Sequence, residues 1–320
     1  MLLEYYNAAR KGTALVEKDW EGIALLTGSE RNSWLQGMVT NDVQKLPPGA
    51  GCYAAHLNPQ GKVKAHMTIL RDEDSLVLVL ERAAVGPLIQ AFDKLLIMED
   101  VQVTDASESF QILGLIGPQS KHVLESWLGE PLKLDSLYSH RRVGDHRVVV
   151  TDLGYEVWVN RELEDQALRD LAQAGATPID HGTWDVLRTE AGLPVYGVDI
   201  DETTTLPELG ERGISYDKGC YVGQEVVAKV KYIGHVNRRF VGLLIDGSDL
   251  PESRSIVRKD GKDIGYITTS LFSPGLNRPI ALGFLGRTAA VAKTPVEIVS
   301  EGKVIPATVS ELPMFSVKSV

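Results

Sequence analysis

A chain of 320 residues, 43% hydrophobic and 24% charged, exceeds the size at which a single core stops growing, so two or three modules are expected. Its net charge of −10 excludes a broad electrostatic footprint for duplex nucleic acid, and no apolar run approaches the length that spans a bilayer. Two cysteines, Cys52 and Cys220, exclude a disulfide framework and are too few for a four-thiolate zinc or iron–sulfur site; the seven histidines form no helical metal-binding pair, so no metal is assigned.

The first residues, Met1 to Asn7, lack a basic region followed by a long apolar core, so no signal peptide is read and a cytoplasmic location is expected. From Arg31 to Val43 apolar residues recur at helical spacing, and Asn41-Asp42 with Pro47-Pro48-Gly49 end the helix. Residues 52–57 and 62–70, separated by Asn58-Pro59-Gln60-Gly61, read as a β-hairpin that residues 76–80 extend. A helix over 83–97 leads to a strand at 101–104, an order that resembles half of a ferredoxin-like unit. The pattern returns as a strand at 110–116, a helix at 118–128, a hairpin of 147–150 with 156–159, and a helix at 162–173. Two related α+β units are therefore expected up to about residue 180.

A helix over 183–191 stops at Gly192. The stretch from Asp199 to Glu208 carries four carboxylates in ten residues with no burying period and reads as loop. Lys229, Lys231, Arg238 and Arg239 then cluster, enough for one small anionic ligand or simply a solvated basic face. Beyond Gly234, short strands punctuated by Asp246-Gly247, Asp260-Gly261 and Glu301-Gly302 fit a small antiparallel barrel or sandwich.

The densest group of unlike side chains is Asp217-Lys218-Gly219-Cys220-Tyr221-Val222-Gly223-Gln224-Glu225. Lys218 stands two residues before the Cys220 thiol, and Gly219 lets the backbone bend the ammonium toward the sulfur. A helix beginning at Gln224 would place the thiol just before a positive helix end, which favours a thiolate. Such a thiol could be a nucleophile, a transient iron ligand or a redox partner, and the alternative is a tight loop with a small buried cysteine.

Lys218 to Glu225 resembles the signature of the YgfZ-type folate-binding proteins, relatives of the glycine cleavage T-protein. Trp34 to Val43, Arg188 to Pro194, Asp199 to Gly210 and Gly265 to Pro274 also resemble that superfamily in its order, so the likeness covers most of the chain. It implies an α+β fold, a three-domain ring of glycine cleavage T-protein type with two ferredoxin-like α+β units and a C-terminal antiparallel β-barrel. Residues 1–235 would form the folate-binding region from two interleaved α+β domains, and residues 236–320 the barrel.

The implied cofactor is tetrahydrofolate or a one-carbon derivative in a central hole. A carboxylate can accept two adjacent pterin N–H donors at once, and Glu190 is the candidate anchor. Tyr155 and Tyr196 would line the ring, Arg238 would meet the anionic tail, and Gln224 is a further candidate contact. Cys220 and Lys218 would be the functional pair of an accessory protein for iron–sulfur cluster assembly or repair in client enzymes, some of them tRNA-modifying. The implied partners are reduced folate and iron–sulfur client or assembly proteins, with no duplex nucleic acid and no membrane. The alternative reading is a folate-dependent aminomethyltransferase or demethylase. Against it, Ala65 and His66 stand where the T-protein hairpin carries paired aspartates, one of them its acid–base group.

Overall fold

The computed structural model describes residues 2–315. The chain opens with α1 (Leu2–Lys11), β1 (Ala14–Glu17) and β2 (Glu21–Thr27), then α2 (Arg31–Met38) and the hairpin of β3 (Gly51–Leu57) and β4 (Val63–Arg71). β5 (Leu76–Glu81), α3 (Arg82–Asp93) and β6 (Gln102–Asp105) follow. Next come β7 (Phe110–Ile116), α4 (Ser120–Leu128), β8 (His140–Val143), β9 (His146–Thr151), β10 (Gly154–Asn160), α5 (Glu164–Gln173) and β11 (Thr177–Pro178). After α6 (His181–Ala191) and α7 (Gln224–Tyr232), the last strands are β12 (Arg238–Ile245), β13 (Ile256–Lys259), β14 (Lys262–Ser273), β15 (Arg278–Gly286), β16 (Pro295–Ser300) and β17 (Lys303–Ser310).

These strands form one sheet in the order β3-β4-β5-β2-β6, a second in the order β11-β1-β7-β10-β9-β8, and a closed antiparallel barrel. Pairing of β12 with β17, Gly242 opposite Ser310, closes the barrel and leaves it no exposed strand edge. The expected α+β class with a C-terminal barrel is what the chain adopts. β1 and β2 are consecutive yet lie in different sheets, β1 beside β7 and β11, β2 beside β5 and β6. The link between them stitches the sheets together: Lys18 N–H donates to Ile112 O at 2.9 Å, and Arg82 N–H to Trp20 O at 2.7 Å.

Because successive strand side chains point to opposite faces, each sheet has two faces to bury. Met67, Ile69, Leu76 and Leu78 pack beneath α2 and α3, while Leu113, Leu115, Val157 and Val159 pack beneath α4 and α5. The remaining faces meet each other, Ile23, Val77 and Val79 against Ile112, Val149 and Trp158. Each such buried side chain contributes about 1.5–3 kcal/mol, so this seam is a strong join between the sheets.

The structure shortens two expected helices. α2 ends at Met38 rather than at Val43 because Val39 is extended, with φ −127° and ψ 161°, and Lys218 takes the carbonyls freed at that end. α3 ends at Asp93 rather than at Ile97, and Ile97 lies exposed beyond it. The acidic stretch also gains structure. Leu206–Leu209 form a 3₁₀ turn, and Asp199 is buried, accepting the Thr268 and Thr269 hydroxyls at 2.6 and 2.7 Å and pairing with Arg188. Among the described residues no helix is long and apolar enough to cross a membrane.

Candidate functional site

Where the apolar seam between the sheets runs out, the same faces carry polar side chains. Glu21 lies two residues before Ile23 on β2, Glu81 two after Val79 on β5, His66 four before Leu70 on β4, and Glu156 two before Trp158 on β10. Strand alternation turns all of them toward the opposing unit. They line a cavity of about 560 Å³ that the end of α6 and Phe240 of the barrel help to bound.

Lys18 reaches this cavity from the link between β1 and β2. Its Nζ donates to Glu156 Oε1 at 2.6 Å and also to Glu21. Gly114 lies opposite Glu156 on β7 and leaves room for the lysine stem; a Cβ there would stand 2.9 Å from Val16 Cγ1 and 3.3 Å from Lys18 Cδ. One ammonium between two carboxylates leaves a negative charge uncompensated. Burial pushes Glu21 up to about 7, with Glu156 and Glu81 adding to the effect and Lys18 opposing it. Burial works against charge on Lys18 too, but Glu156 and Glu21 hold it above the usual lysine range. Glu21 Oε2 and Trp20 Nε1 are buried without a hydrogen-bond partner among the described residues.

A second group spans three neighbouring strands. Tyr53 Oη lies 2.8 Å from His66 Nδ1, and His66 Nε2 lies 2.9 Å from Glu81 Oε1. The Tyr196 N–H also donates to Glu81 Oε1, at 2.9 Å. Burial raises Glu81, but attraction to the His66 imidazole and these hydrogen bonds outweigh it and bring the carboxyl to about 2. Burial lifts Tyr53 above the usual phenol range. The Arg212 guanidinium stands 4.8 Å from the Tyr53 ring centroid and is held by Asp152 and the Tyr138 hydroxyl.

Of the residues singled out from sequence, Tyr155 borders this cavity on β10, but its side chain turns away from Glu156 into the core with Leu113, Leu115 and Val157 beneath α4 and α5. Tyr196 lines a second cavity of about 980 Å³ that shares Trp20, Glu81 and Arg188 with the first. Glu190 does not serve as expected. It is 0% exposed and its carboxylate is taken by Arg10, the Ser273 hydroxyl and the Tyr6 hydroxyl, so it fastens α6 to α1 and the barrel. Arg238 pairs with Glu208, donates to Tyr266 Oη at 2.9 Å and stacks on Phe284 with its Cζ 4.5 Å from the ring centroid, outside the lining of either cavity. Gln224 begins α7, its N–H donating to Tyr221 O, and also lies outside both linings.

The Lys218–Cys220 pair is likewise not formed as expected. Lys218 Nζ donates to the carbonyls of Gln36, Val39 and Asn41, at 2.5, 2.6 and 2.9 Å, rather than to the exposed Cys220. Tyr221 is buried with Leu57 and Val63, and Gly223, at φ 80°, sits where a Cβ would come within 2.6 Å of Asn58 O. The stretch is therefore a clamp that locks the end of α2 and the β3–β4 turn. Among the described residues no group of three His, Cys, Asp or Glu side chains could hold a metal ion.

Sequence reasoning missed Lys18, Glu21, Glu81 and Glu156. Glu156 carried a usable signal, a carboxylate inside the apolar strand Tyr155-Glu156-Val157-Trp158-Val159, because an unpaired charge is rarely buried there without a reason.

Comparison with known proteins bears on the whole chain. Residues 2–215 match the family described as the GCVT N-terminal domain, and residues 238–316 match the glycine cleavage T-protein C-terminal barrel domain. An aminomethyltransferase of Nostoc sp. is 28% identical over 97% of this chain and 86% of its own length, and one of Synechococcus sp. is 28% identical over 98% and 90%. The crystal structure of the glycine cleavage system aminomethyltransferase T of Bartonella henselae has the same fold, with a TM-score of 0.90 and 21% identity over 98% of this chain and 89% of that one. These likenesses overturn the expected accessory role in iron–sulfur cluster assembly: the relatives matched along nearly the full chain are named aminomethyltransferases. They favour the alternative reading instead.

Proposed function

The chain belongs to the glycine cleavage T-protein family, and on that premise we propose that it is a folate-dependent aminomethyltransferase. It moves a one-carbon unit, as an aminomethyl group, from a sulfur-borne donor on a carrier to a tetrahydrofolate acceptor. The observation that carries this reading is Glu156, a buried carboxylate on the wall of a cavity, with one oxygen held by Lys18. It replaces Glu190 as the pterin reader, because Glu156 combines burial with open space in front of it and Glu190 does not. The residues present suit a pterin: a carboxylate for paired N–H donors, and Glu21 Oε2 and Trp20 Nε1 as buried groups still lacking partners.

Tetrahydrofolate supplies the secondary amine nitrogen that takes up the carbon. The protein's own residues do the rest: Glu156 orients the ring, Lys18 fixes Glu156, and the seam of Trp158 and Val79 excludes water from one side. In this reading residues 1–235 form the folate-binding region, residues 236–320 close it as the barrel, and the protein works in the cytoplasm. Within the family, the Lys218–Glu225 stretch is our ground for placing the chain beside the YgfZ-type branch, and its part is structural.

Calorimetry with tetrahydrofolate tests the proposal. The unaltered protein should bind, and Glu156→Gln should weaken binding about 10- to 100-fold, the worth of a hydrogen bond to a charged partner. No heat at millimolar tetrahydrofolate would end the folate reading. Failure to form methylene-tetrahydrofolate, with release of ammonia and the free thiol, from an aminomethyl thioether donor would end the transferase reading.

A further inference from the structure

We infer that Tyr53, His66 and Glu81 form a proton relay, with Tyr53 Oη meeting the reacting amine and His66 and Glu81 as positioning residues behind it. The inference rests on the transferase reading above and adds the route by which the proton leaves. All three side chains line the cavity and stand on adjacent strands, His66 on β4 between Tyr53 on β3 and the end of β5 at Glu81. Paired strands hold such a chain more rigidly than loops would.

The hydrogen bonds set the direction. Glu81, pinned by the Tyr196 N–H, accepts a hydrogen bond from His66 Nε2–H, which leaves Nδ1 as the acceptor for the Tyr53 hydroxyl. Tyr53 Oη keeps its lone pairs for the cavity. A buried phenol alone is a poor base, because the phenolate would be left without solvent. With an imidazole behind it, the phenol takes one proton as it gives another away, and no phenolate forms.

The step balances. The acceptor nitrogen forms a bond to the transferred carbon as the carbon–sulfur bond of the thioether donor breaks, its electron pair staying on sulfur. The proton from nitrogen passes to Tyr53 Oη while the Tyr53 proton passes to His66 Nδ1. The resulting imidazolium is paired with Glu81 until the proton returns through Tyr53 to the sulfur. No oxidant or reductant is consumed.

Two measurements judge the relay. Nitrogen-15 NMR of the full chain at pH 8 should show His66 with Nδ1 unprotonated and its shift displaced by Tyr53→Phe; a protonated Nδ1 overturns the relay whether or not the protein turns over. In the transfer assay, Tyr53→Phe and His66→Ala should each lose at least about 100-fold in rate, while tetrahydrofolate affinity by calorimetry stays within about threefold. Added imidazole should restore part of the His66→Ala rate, which a merely structural histidine would not allow. Full transfer by Tyr53→Phe, or no rescue in a His66→Ala protein that still binds folate, overturns the proposal. If the unaltered protein transfers nothing, the transferase reading falls, and the NMR result still decides the relay.

Discussion

Glu190 and Glu156 are both buried glutamates, and the fold puts them to opposite uses. Glu190 spends its carboxylate on Arg10, Tyr6 and Ser273, and its backbone carbonyl accepts the Met314 N–H at 2.8 Å. Glu156 meets one ammonium that it shares with Glu21, and a cavity lies before it. The lysines repeat the contrast. Lys218 is consumed by three backbone carbonyls, whereas Lys18 serves two acids in the cavity wall and leaves one of their charges uncompensated. Burial alone therefore does not identify a functional group; hydrogen-bonding capacity left facing open space does.

The largest expected effect that tests this contrast is on stability. Glu190→Ala should cost about 3–5 kcal/mol in urea unfolding, because it strands the Arg10 guanidinium inside the protein. A loss below about 1 kcal/mol would place Glu190 outside the class of structural clamps. Lys218→Ala should cost about 2–3 kcal/mol by leaving carbonyls unpaired, and should leave the rate of Cys220 alkylation by iodoacetamide unchanged. A slowed reaction would restore the link between ammonium and thiol.

Glu21→Gln should show a smaller effect that depends on pH. The folded Glu21 carboxyl lies at about 7 against an ordinary 4.5, so its contribution to stability is present below pH 4.5 and is lost as pH rises through 7. The amide removes that loss, so the variant should be more stable than the unaltered protein at pH 8 and equal to it at pH 4.5. A gain of the same size at both pH values would mean that Glu21 stays ionised throughout. The smallest effect belongs to Cys220→Ser, expected within about 0.5 kcal/mol and without change in tetrahydrofolate affinity. Iodoacetamide should nonetheless reach Cys220 before Cys52, whose thiol burial pushes up to about 12.

Much of the fold was legible. The hairpin around Asn58-Pro59-Gln60-Gly61, the β7 and β10 strands, α6 with its Gly192 stop and the six barrel strands all follow from period, turn residues and caps. The site was less so. Tyr155 was named, yet strand alternation turns its side chain from Glu156 into the core beneath α4 and α5; Glu190 was chosen because its helix resembled a family motif, and nothing local in Arg188-Thr189-Glu190-Ala191-Gly192 says that Arg10 and Tyr6, some 180 residues earlier, occupy its carboxylate. The glycine bend at Lys218-Gly219-Cys220 likewise suggested that ammonium and thiol meet. The lysine instead finds carbonyls freed where α2 ends, a partner that depends on how the two segments pack.

What the sequence by itself determined is the local layer: where strands and helices lie, that no four-thiolate site can form, and that the chain resembles the glycine cleavage T-protein superfamily. Only the tertiary structure decided that β1 and β2 part into different sheets, that Lys18 thereby falls between Glu21 and Glu156, and that Tyr53, His66 and Glu81 join into one hydrogen-bonded chain. The reason is physical. Period and turn chemistry act over a few residues, whereas a buried charge is satisfied by whichever groups the packing of distant strands brings to it.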